Sequence, residues 1–113
     1  MAKYLVSASY TSQGTKGVLG EGGSGRKAAI EKGFQAVGGK LEAIYFAFGD
    51  TDVVLVADMP DAVSALAVSM AVNSSGMVTA KTTPLMTIEE VDAACRKAAA
   101  LTAAYRAPGA AAV

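Results

Sequence analysis

The sequence has no histidine, no tryptophan and a single cysteine, Cys95. One cysteine cannot form a disulfide within the chain or supply a thiolate cluster, and the absence of histidine removes the most common metal ligand and general base. We therefore expect no metal site and no bound cofactor. The cysteine usage favours a reducing environment, and we predict a cytoplasmic location.

Charge is also scarce, at 18% of the chain, and the ten basic residues balance the ten acidic ones. No run of like charge resembles the basic stripe that holds nucleic acid backbones. The longest uninterrupted apolar run, residues 43–48, is far shorter than the ~20 residues that span a bilayer. The first residues lack the apolar segment of a secretory signal. We therefore expect neither nucleic acid nor a membrane as a partner.

The length of 113 residues leaves room for one hydrophobic core. We predict a single domain over residues 1–106 and a disordered, alanine-rich tail over residues 107–113. Apolar residues make up 52% of the chain. Because a small domain has a large surface for its volume, the low charge indicates that a partner covers part of that surface.

The first third of the chain predicts a strand, a loop and a helix. Residues 3–10 alternate in polarity with the period of a strand. Residues 11–25 contain six glycines, a density that weakens regular structure and predicts a loop. Ser24 can cap the following helix, whose apolar residues recur at helical spacing until Gly38 and Gly39 end it.

The remaining two thirds predict a hairpin, a helix, a strand and a terminal helix. Apolar runs over residues 41–48 and 53–57 flank a turn-forming segment, as in a β-hairpin. Pro60 and Asp61 open a second helix, which ends in the polar residues 73–76. The predicted apolar face of that helix consists of Val63, Leu66, Ala67 and Met70.

Residues 77–86 have strand-like content, and a third helix follows. Thr87 and Glu90 have the spacing of a capping box, and an apolar stripe that includes Cys95 follows at helical spacing. On such a stripe Cys95 is expected to be chemically inert.

This order of elements predicts the α+β class and a ferredoxin-like β-α-β-β-α-β fold with an added C-terminal helix. Right-handed crossovers then place both long helices on one face of a four-stranded antiparallel sheet. The other face stays bare, and covering its apolar side chains stabilises an assembly. We therefore expect a homo-oligomer, with a two-fold dimer favoured.

Several segments resemble the GYD domain family in order and spacing. They are residues 10–11, Gly17, 25–32 (GRKAAIEK), 38–54 (GGKLEAIYFAFGDTDVV), 73–76 (NSSG) and 81–87 (KTTPLMT). The resemblance implies a ferredoxin-like domain, related in architecture to dimeric α/β-barrel proteins, commonly oligomeric and of uncharacterised function. The motif that names the family has an aromatic residue where this chain has Thr51. A role for a tyrosine ring at that position is therefore in doubt.

The glycine-rich segment contains two weak nucleotide-binding patterns. Residues 20–25 fit G-x-G-x-x-G, but a hairpin follows instead of the second strand of a parallel unit, and a complete P-loop is missing. A more modest hypothesis is an anion site, in which amides at a helix N-terminus combine with Lys16 and Arg26. The alternative is a connection with solvated charges.

Four further residues are candidates for a ligand site. Asp52 belongs to the family motif and, with Asp50, could share a proton or bind a cation, although turn formation explains both aspartates more simply. Tyr10 and Tyr45 lie in apolar strands, where a phenol needs a buried partner or a wet cleft. Lys81 in the last strand must reach solvent, pair with a carboxylate or face a cavity.

The leading functional hypothesis is a homo-oligomer that binds a small molecule or anion in a cleft between sheet and helices. The expected binding residues are Tyr10, Lys16, Arg26, Tyr45, Asp52 and Lys81. One alternative is a cofactor-free enzyme acting on a small carbonyl or aromatic metabolite, with Lys81, Asp52 or a tyrosine as its base. Another alternative is a structural assembly unit.

Overall fold

A computed structural model of the chain describes residues 1–110. Within these residues it contains four strands and three helices. They are β1 (Ala2–Tyr10), α1 (Ser12–Ala36), β2 (Lys40–Phe46), β3 (Val53–Met59), α2 (Ala62–Ser74), β4 (Val78–Leu85) and α3 (Ile88–Ala104). The β-α-β-β-α-β order with a C-terminal helix is confirmed.

The four strands form one open sheet in the order β2-β3-β1-β4, and every neighbouring pair is antiparallel. The two central strands, β1 and β3, are not consecutive in the chain, so each βα unit crosses over one strand. This topology is that of a ferredoxin-like α+β fold, and the predicted fold class is therefore confirmed.

The core lies between the sheet and the helices α1 and α2. Along β3 every second side chain is buried, from Val53 to Met59, because successive strand residues point to opposite faces. Phe34 of α1 and Ala65 of α2 pack against this face. The intervening side chains of β3 lie on the opposite face, which no helix of residues 1–110 covers with a buried residue.

The predicted loop over residues 11–25 is wrong, because α1 begins at Ser12. Thr11 caps this helix by accepting the Gly14 N–H at 3.1 Å. Gly22 has a φ of 73° and kinks the helix, so the segments before and after it run in different directions. The glycines reduce helix propensity, but the packing of this segment against the sheet outweighs that loss.

The predicted apolar face of α2 is also wrong. Val63, Leu66 and Met70 are exposed, whereas Ala65 and Val68 face the core. The helix is apolar on both sides, so the spacing of its apolar residues did not identify the buried side.

Helix caps agree with the sequence pattern. Asp61 caps α2 by accepting the Ser64 N–H at 2.7 Å, and this hydrogen bond lowers the pKa of the Asp61 carboxyl. Thr87 and Glu90 form a capping box at the start of α3, in which each side chain accepts the other residue's backbone N–H. Both predicted helix starts are therefore confirmed.

The third helix extends away from the rest of the molecule. None of its residues is buried, and the radius of gyration is 18.6 Å against about 13 Å for a compact chain of similar length. No helix within residues 1–110 is long and apolar enough to cross a membrane. The cytoplasmic location stays a prediction.

The chain after α3 is described only to residue 110. Ala110 donates its N–H to the Ala107 carbonyl at 3.0 Å, which closes a turn. Residues 111–113, the end of the tail predicted to be disordered, lie outside the described residues. The domain boundary at residue 106 stays a prediction.

Candidate functional site

A cavity of about 530 Å³ lies between the helix-covered face of the sheet and the helices α1 and α2. Its wall is mainly apolar. The aliphatic and aromatic lining includes Val6, Val18, Ile30, Phe34, Leu55, Val68 and Val72. Pockets that hold small molecules have volumes of ~300–1,000 Å³ and similar apolar linings, so this cavity has the size and character of a ligand site.

The polar part of the cavity wall consists chiefly of Tyr10, Glu21 and Arg26. Arg26 Nη1 lies 2.9 Å from Glu21 Oε1, and both side chains are about one-third exposed. Because Glu21 precedes the kink at Gly22 and Arg26 follows it, the ion pair joins the two segments of α1. The cavity therefore has a hydrogen-bonding region of no net charge, and the polar side chains of Gln13, Ser69, Ser75 and Thr82 also lie on its mainly apolar wall.

Tyr10 is the phenol in this polar region. Burial raises the pKa of Tyr10, the charge of Arg26 opposes that rise, and the carboxylates of Asp52 and Glu21 add to it. The phenol therefore keeps its proton at neutral pH. It can donate a hydrogen bond to a ligand, but it is a poor general base.

Asp52 links the β2–β3 hairpin to β1 through hydrogen bonds. It does not line the cavity. Its carboxylate accepts the Tyr10 backbone N–H at 2.8 Å. Its own N–H donates to the Ala8 carbonyl at 2.9 Å, and its carbonyl accepts the Ala47 N–H at 2.8 Å. Asp50 accepts the Ser9 hydroxyl only through its backbone carbonyl, at 3.4 Å. The Asp52 side chain therefore bonds the backbone of β1, and the turn-forming and ligand-binding interpretations of these aspartates both stay predictions.

The other three predicted site residues lie elsewhere. Lys81 pairs with Ser7 in the register of β1 and β4, on the face of the sheet away from the helices. Tyr45 follows the core residue Ile44, so its side chain points to that same open face, and it is largely exposed. Lys16 is exposed on α1 and does not line the cavity. The structure thus brings Tyr10 and Arg26 together, with Asp52 bonded to the Tyr10 backbone.

Glu21 lies within the glycine-rich segment in which the sequence predicts an anion site. A Cβ added to Gly25 would lie 3.0 Å from Glu21 Cβ, so Glu21 packs against the start of the second segment of α1. A carboxylate near a helix N-terminus supplies the negative charge that a bound anion would supply. Arg26, the other half of the predicted site, is paired with that same carboxylate.

The open face of the sheet carries its charges mainly at one end. Lys3 Nζ lies 2.8 Å from both Glu42 and Asp58. Its hydrogen bond to Asp58, followed by that to Glu42, raises the pKa of Lys3. In the middle of the face, Leu5 pairs with Val56. Ser7, Lys81 and Thr83 lie beside this apolar pair on the same face, so the centre of the open face combines apolar and polar side chains.

Sequence-based prediction missed Glu21 and the contribution of α2 to the cavity. Glu21 lies in the segment predicted as a loop, and Val68 and Val72 lie on the side of α2 opposite the predicted apolar face. The kinked course of α1 brings Glu21 to the cavity, and no local pattern in the sequence indicates that course.

The fold and the cavity define a class of protein: a ferredoxin-like α+β domain with an apolar pocket between its sheet and its helices. Within that class, the chain belongs to the GYD domain family, whose model matches residues 4–95. The match spans the chain from β1 into the first half of α3. The function of the family is uncharacterised, and no curated protein and no solved structure matches the chain significantly.

Proposed function

We propose that this protein is a homo-oligomer that binds a small, mainly apolar molecule in the cavity between its sheet and its helices. The observation that supports this function is the combination of a mainly apolar wall with a polar cluster formed by Tyr10, Glu21 and Arg26. Ligand sites commonly pair apolar walls with a few polar groups that orient the bound molecule.

The electrostatics of the polar region favour an uncharged or weakly acidic ligand over a strong anion. Arg26 is the only cationic side chain on the cavity wall within residues 1–110, and Glu21 neutralises it at 2.9 Å. A phosphate would have to displace Glu21, whereas a ligand hydroxyl or carbonyl can accept a hydrogen bond from the protonated Tyr10 phenol. We therefore propose an aromatic or aliphatic molecule with one such group.

The enzymatic alternative loses two of its candidate bases. Lys81 lies on the other face of the sheet, and the Asp52 carboxylate is bonded to the Tyr10 N–H. Tyr10 holds its proton more tightly than a free tyrosine. An enzyme built on this cavity would require Glu21 as its base, and Arg26 holds that carboxylate in an ion pair. Ligand binding without catalysis is the simpler proposal.

Self-association through the open sheet face completes the proposed function. Its central apolar pair, Leu5 and Val56, is a surface that a second copy would remove from water. A two-fold contact between identical faces is self-complementary by symmetry.

The ligand-binding proposal can be tested with N-phenyl-1-naphthylamine, an uncharged fluorescent aromatic probe. Val72→Phe places a ring inside the cavity and should weaken probe binding at least ~10-fold, a loss of about 1.4 kcal/mol. Val63→Phe is the matched control, since Val63 lies on the exposed side of the same helix. It should leave the binding constant unchanged.

Val68→Phe fills the same cavity from another position and serves where Val72→Phe does not fold, as judged by circular dichroism. Equal probe binding by the wild type and a folded cavity-filled variant would refute the proposal. Loss of binding in Val63→Phe alone would assign the probe to the outer surface of α2 and refute it equally.

A further inference from the structure

The cavity between the sheet and the helices extends along β1 and β4. In the register of these two strands Tyr10 pairs with Val78 and Val6 pairs with Thr82, and all four residues line the cavity. The two pairs are separated by four residues of strand, which is a distance of about 13 Å. The cavity is therefore a slot with Tyr10 at the level of one end and Thr82 at the level of the other.

The floor of this slot is apolar midway between its two ends. Ala8 pairs with Ala80 at that level, and both alanines are buried in a cluster with Val53. Because alanine has a small side chain, the floor leaves space for a bound molecule to lie along the strands. The middle of such a molecule has an apolar surface beneath it, so its polar groups are best placed at its ends.

A second pair of polar side chains lies at the Thr82 end of the slot. Thr82 is on the same face of β4 as the buried Ala80, since every second strand residue shares a face. Asn73 of α2 bonds both backbone groups of Ala80, donating to its carbonyl at 3.2 Å and accepting its N–H at 2.7 Å. These bonds fix the position of α2 along β4.

Ser69 lies at the same level as Thr82. The strands β3 and β4 are both antiparallel to β1, so α2, which connects them, runs opposite to β4. One helical turn back from Asn73 to Ser69 covers about 6 Å, and two strand residues from Ala80 to Thr82 cover about the same distance in the same direction. Ser69 and Thr82 both line the cavity.

The two hydroxyls make this end of the slot a hydrogen-bonding group without charge. Ser69 Oγ accepts a hydrogen bond from Asn73 Nδ2 at 3.4 Å, and a hydroxyl that accepts one hydrogen bond can still donate another. The Thr82 hydroxyl can donate or accept. The end therefore suits a ligand hydroxyl, carbonyl or amide.

We propose that the ligand of this cavity is an elongated molecule with an apolar middle and a hydrogen-bonding group at each end. Tyr10 binds one of these groups, and Ser69 and Thr82 bind the other. This inference rests on the proposed ligand-binding function and adds a second polar group to the ligand, about 13 Å from the first. Ser69 and Thr82 then select such a molecule over one with a single polar end.

Displacement of N-phenyl-1-naphthylamine by two competitors tests this selection. They are decanol, with one terminal hydroxyl, and the decanediol with a hydroxyl at each end. A straight chain of about ten carbons is as long as four residues of extended backbone, so the diol reaches both ends of the slot. Thr82→Val keeps the shape of the side chain and removes its hydroxyl. It should weaken diol binding about fivefold, the effect of one hydrogen bond. Decanol can place its hydroxyl at Tyr10, and its affinity should stay within about twofold of the wild-type value.

Thr79→Val is the matched control. Thr79 is on the same strand but pairs with Ser9, on the face of the sheet away from the cavity. The substitution should change the affinity of neither competitor. Ser69→Ala removes the other hydroxyl and should repeat the selective loss of diol binding. It also serves where Thr82→Val does not fold, as judged by circular dichroism.

Two results would overturn the two-ended ligand while leaving the cavity as a binding site. One is unchanged diol affinity in the folded Thr82→Val and Ser69→Ala proteins when Val72→Phe still weakens binding of the naphthylamine. The other is an equal loss for decanol and the diol in Thr82→Val, which would mean that Thr82 shapes the cavity without binding a second group. Naphthylamine binding that Val72→Phe leaves intact would instead refute the cavity site and this inference together.

Discussion

Gly14 marks the closest approach between α1 and the end of the sheet. A Cβ at this position would overlap the carbonyl oxygen of Met77, which also accepts the Thr11 N–H at 2.9 Å. Both observations concern the junction at which β1 turns into α1. The backbone there is held against the residue that precedes β4, and a side chain has no space.

We expect Gly14→Ala to lower the free energy of unfolding by about 1–3 kcal/mol, because the helix must move away from Met77. Gly17→Ala is the matched control, since no atom lies within 4 Å of its added Cβ. That change should raise stability by up to about 1 kcal/mol through helix propensity. Urea denaturation of the two variants measures both effects. Equal changes in the two variants would mean that the contact with Met77 does not determine the effect at Gly14.

At this scale, the sequence predicts residues whose roles are local. The capping roles of Asp61 and Thr87 follow from short-range chemistry between neighbours in the chain, and the structure shows them. The bond between Asp52 and the Tyr10 N–H joins residues 42 positions apart, and no local pattern indicates it. The pairing of Glu21 with Arg26 depends on the kink at Gly22. A cluster of glycines permits such a kink but does not indicate its direction, so the polar region of the cavity could not be predicted in full.

Among the elements, α2 shows that an apolar side chain is not necessarily a buried one. Val63 and Val68 are the same residue type on one helix, but Val63 is 77% exposed and Val68 packs against the core. Val68→Ala should lower the free energy of unfolding by about 1–2 kcal/mol because it enlarges the cavity and removes core contacts.

The matched change Val63→Ala should alter stability by less than about 0.5 kcal/mol. Thermal unfolding monitored by circular dichroism at low protein concentration measures both. The reverse order, with Val63→Ala more damaging, would show that the exposed side of α2 is buried in the assembly.

The order of the elements could be predicted because strands and helices have different periods, which β1 shows, and because a turn-forming segment separates the apolar runs of β2 and β3. The start of α1 and the buried side of α2 could not. In α1 the glycines lower the helix propensity of a segment that tertiary packing stabilises as a helix. In α2 both sides of the helix are apolar, so the helical period does not indicate which side is buried.

At the scale of the whole molecule, the open sheet face is proposed to contact a second copy, and α3 leaves a further exposed surface. If both surfaces take part in contacts between copies, one dimer forms when the contacts share a two-fold axis, and a closed tetramer forms when their axes cross at right angles. The mass of the assembly therefore reports how the two surfaces combine.

Val56→Lys places a charge at the centre of the open face, where Val56 pairs with Leu5. We expect the sheet contact to be lost and the mass measured by light scattering to fall accordingly. Val63→Lys, the same substitution on the exposed side of α2, should leave the mass unchanged. An unchanged mass in a folded Val56→Lys protein would exclude the sheet face as a contact.

The detachment of α3 from the sheet has a thermodynamic consequence. Because its residues are not buried, melting the helix exposes almost no core surface, and melting the core does not require the helix to unwind. An isolated helix of 17 residues is only marginally stable in water. Its helicity should therefore change with temperature along a curve of its own, separate from the transition in which the sheet melts.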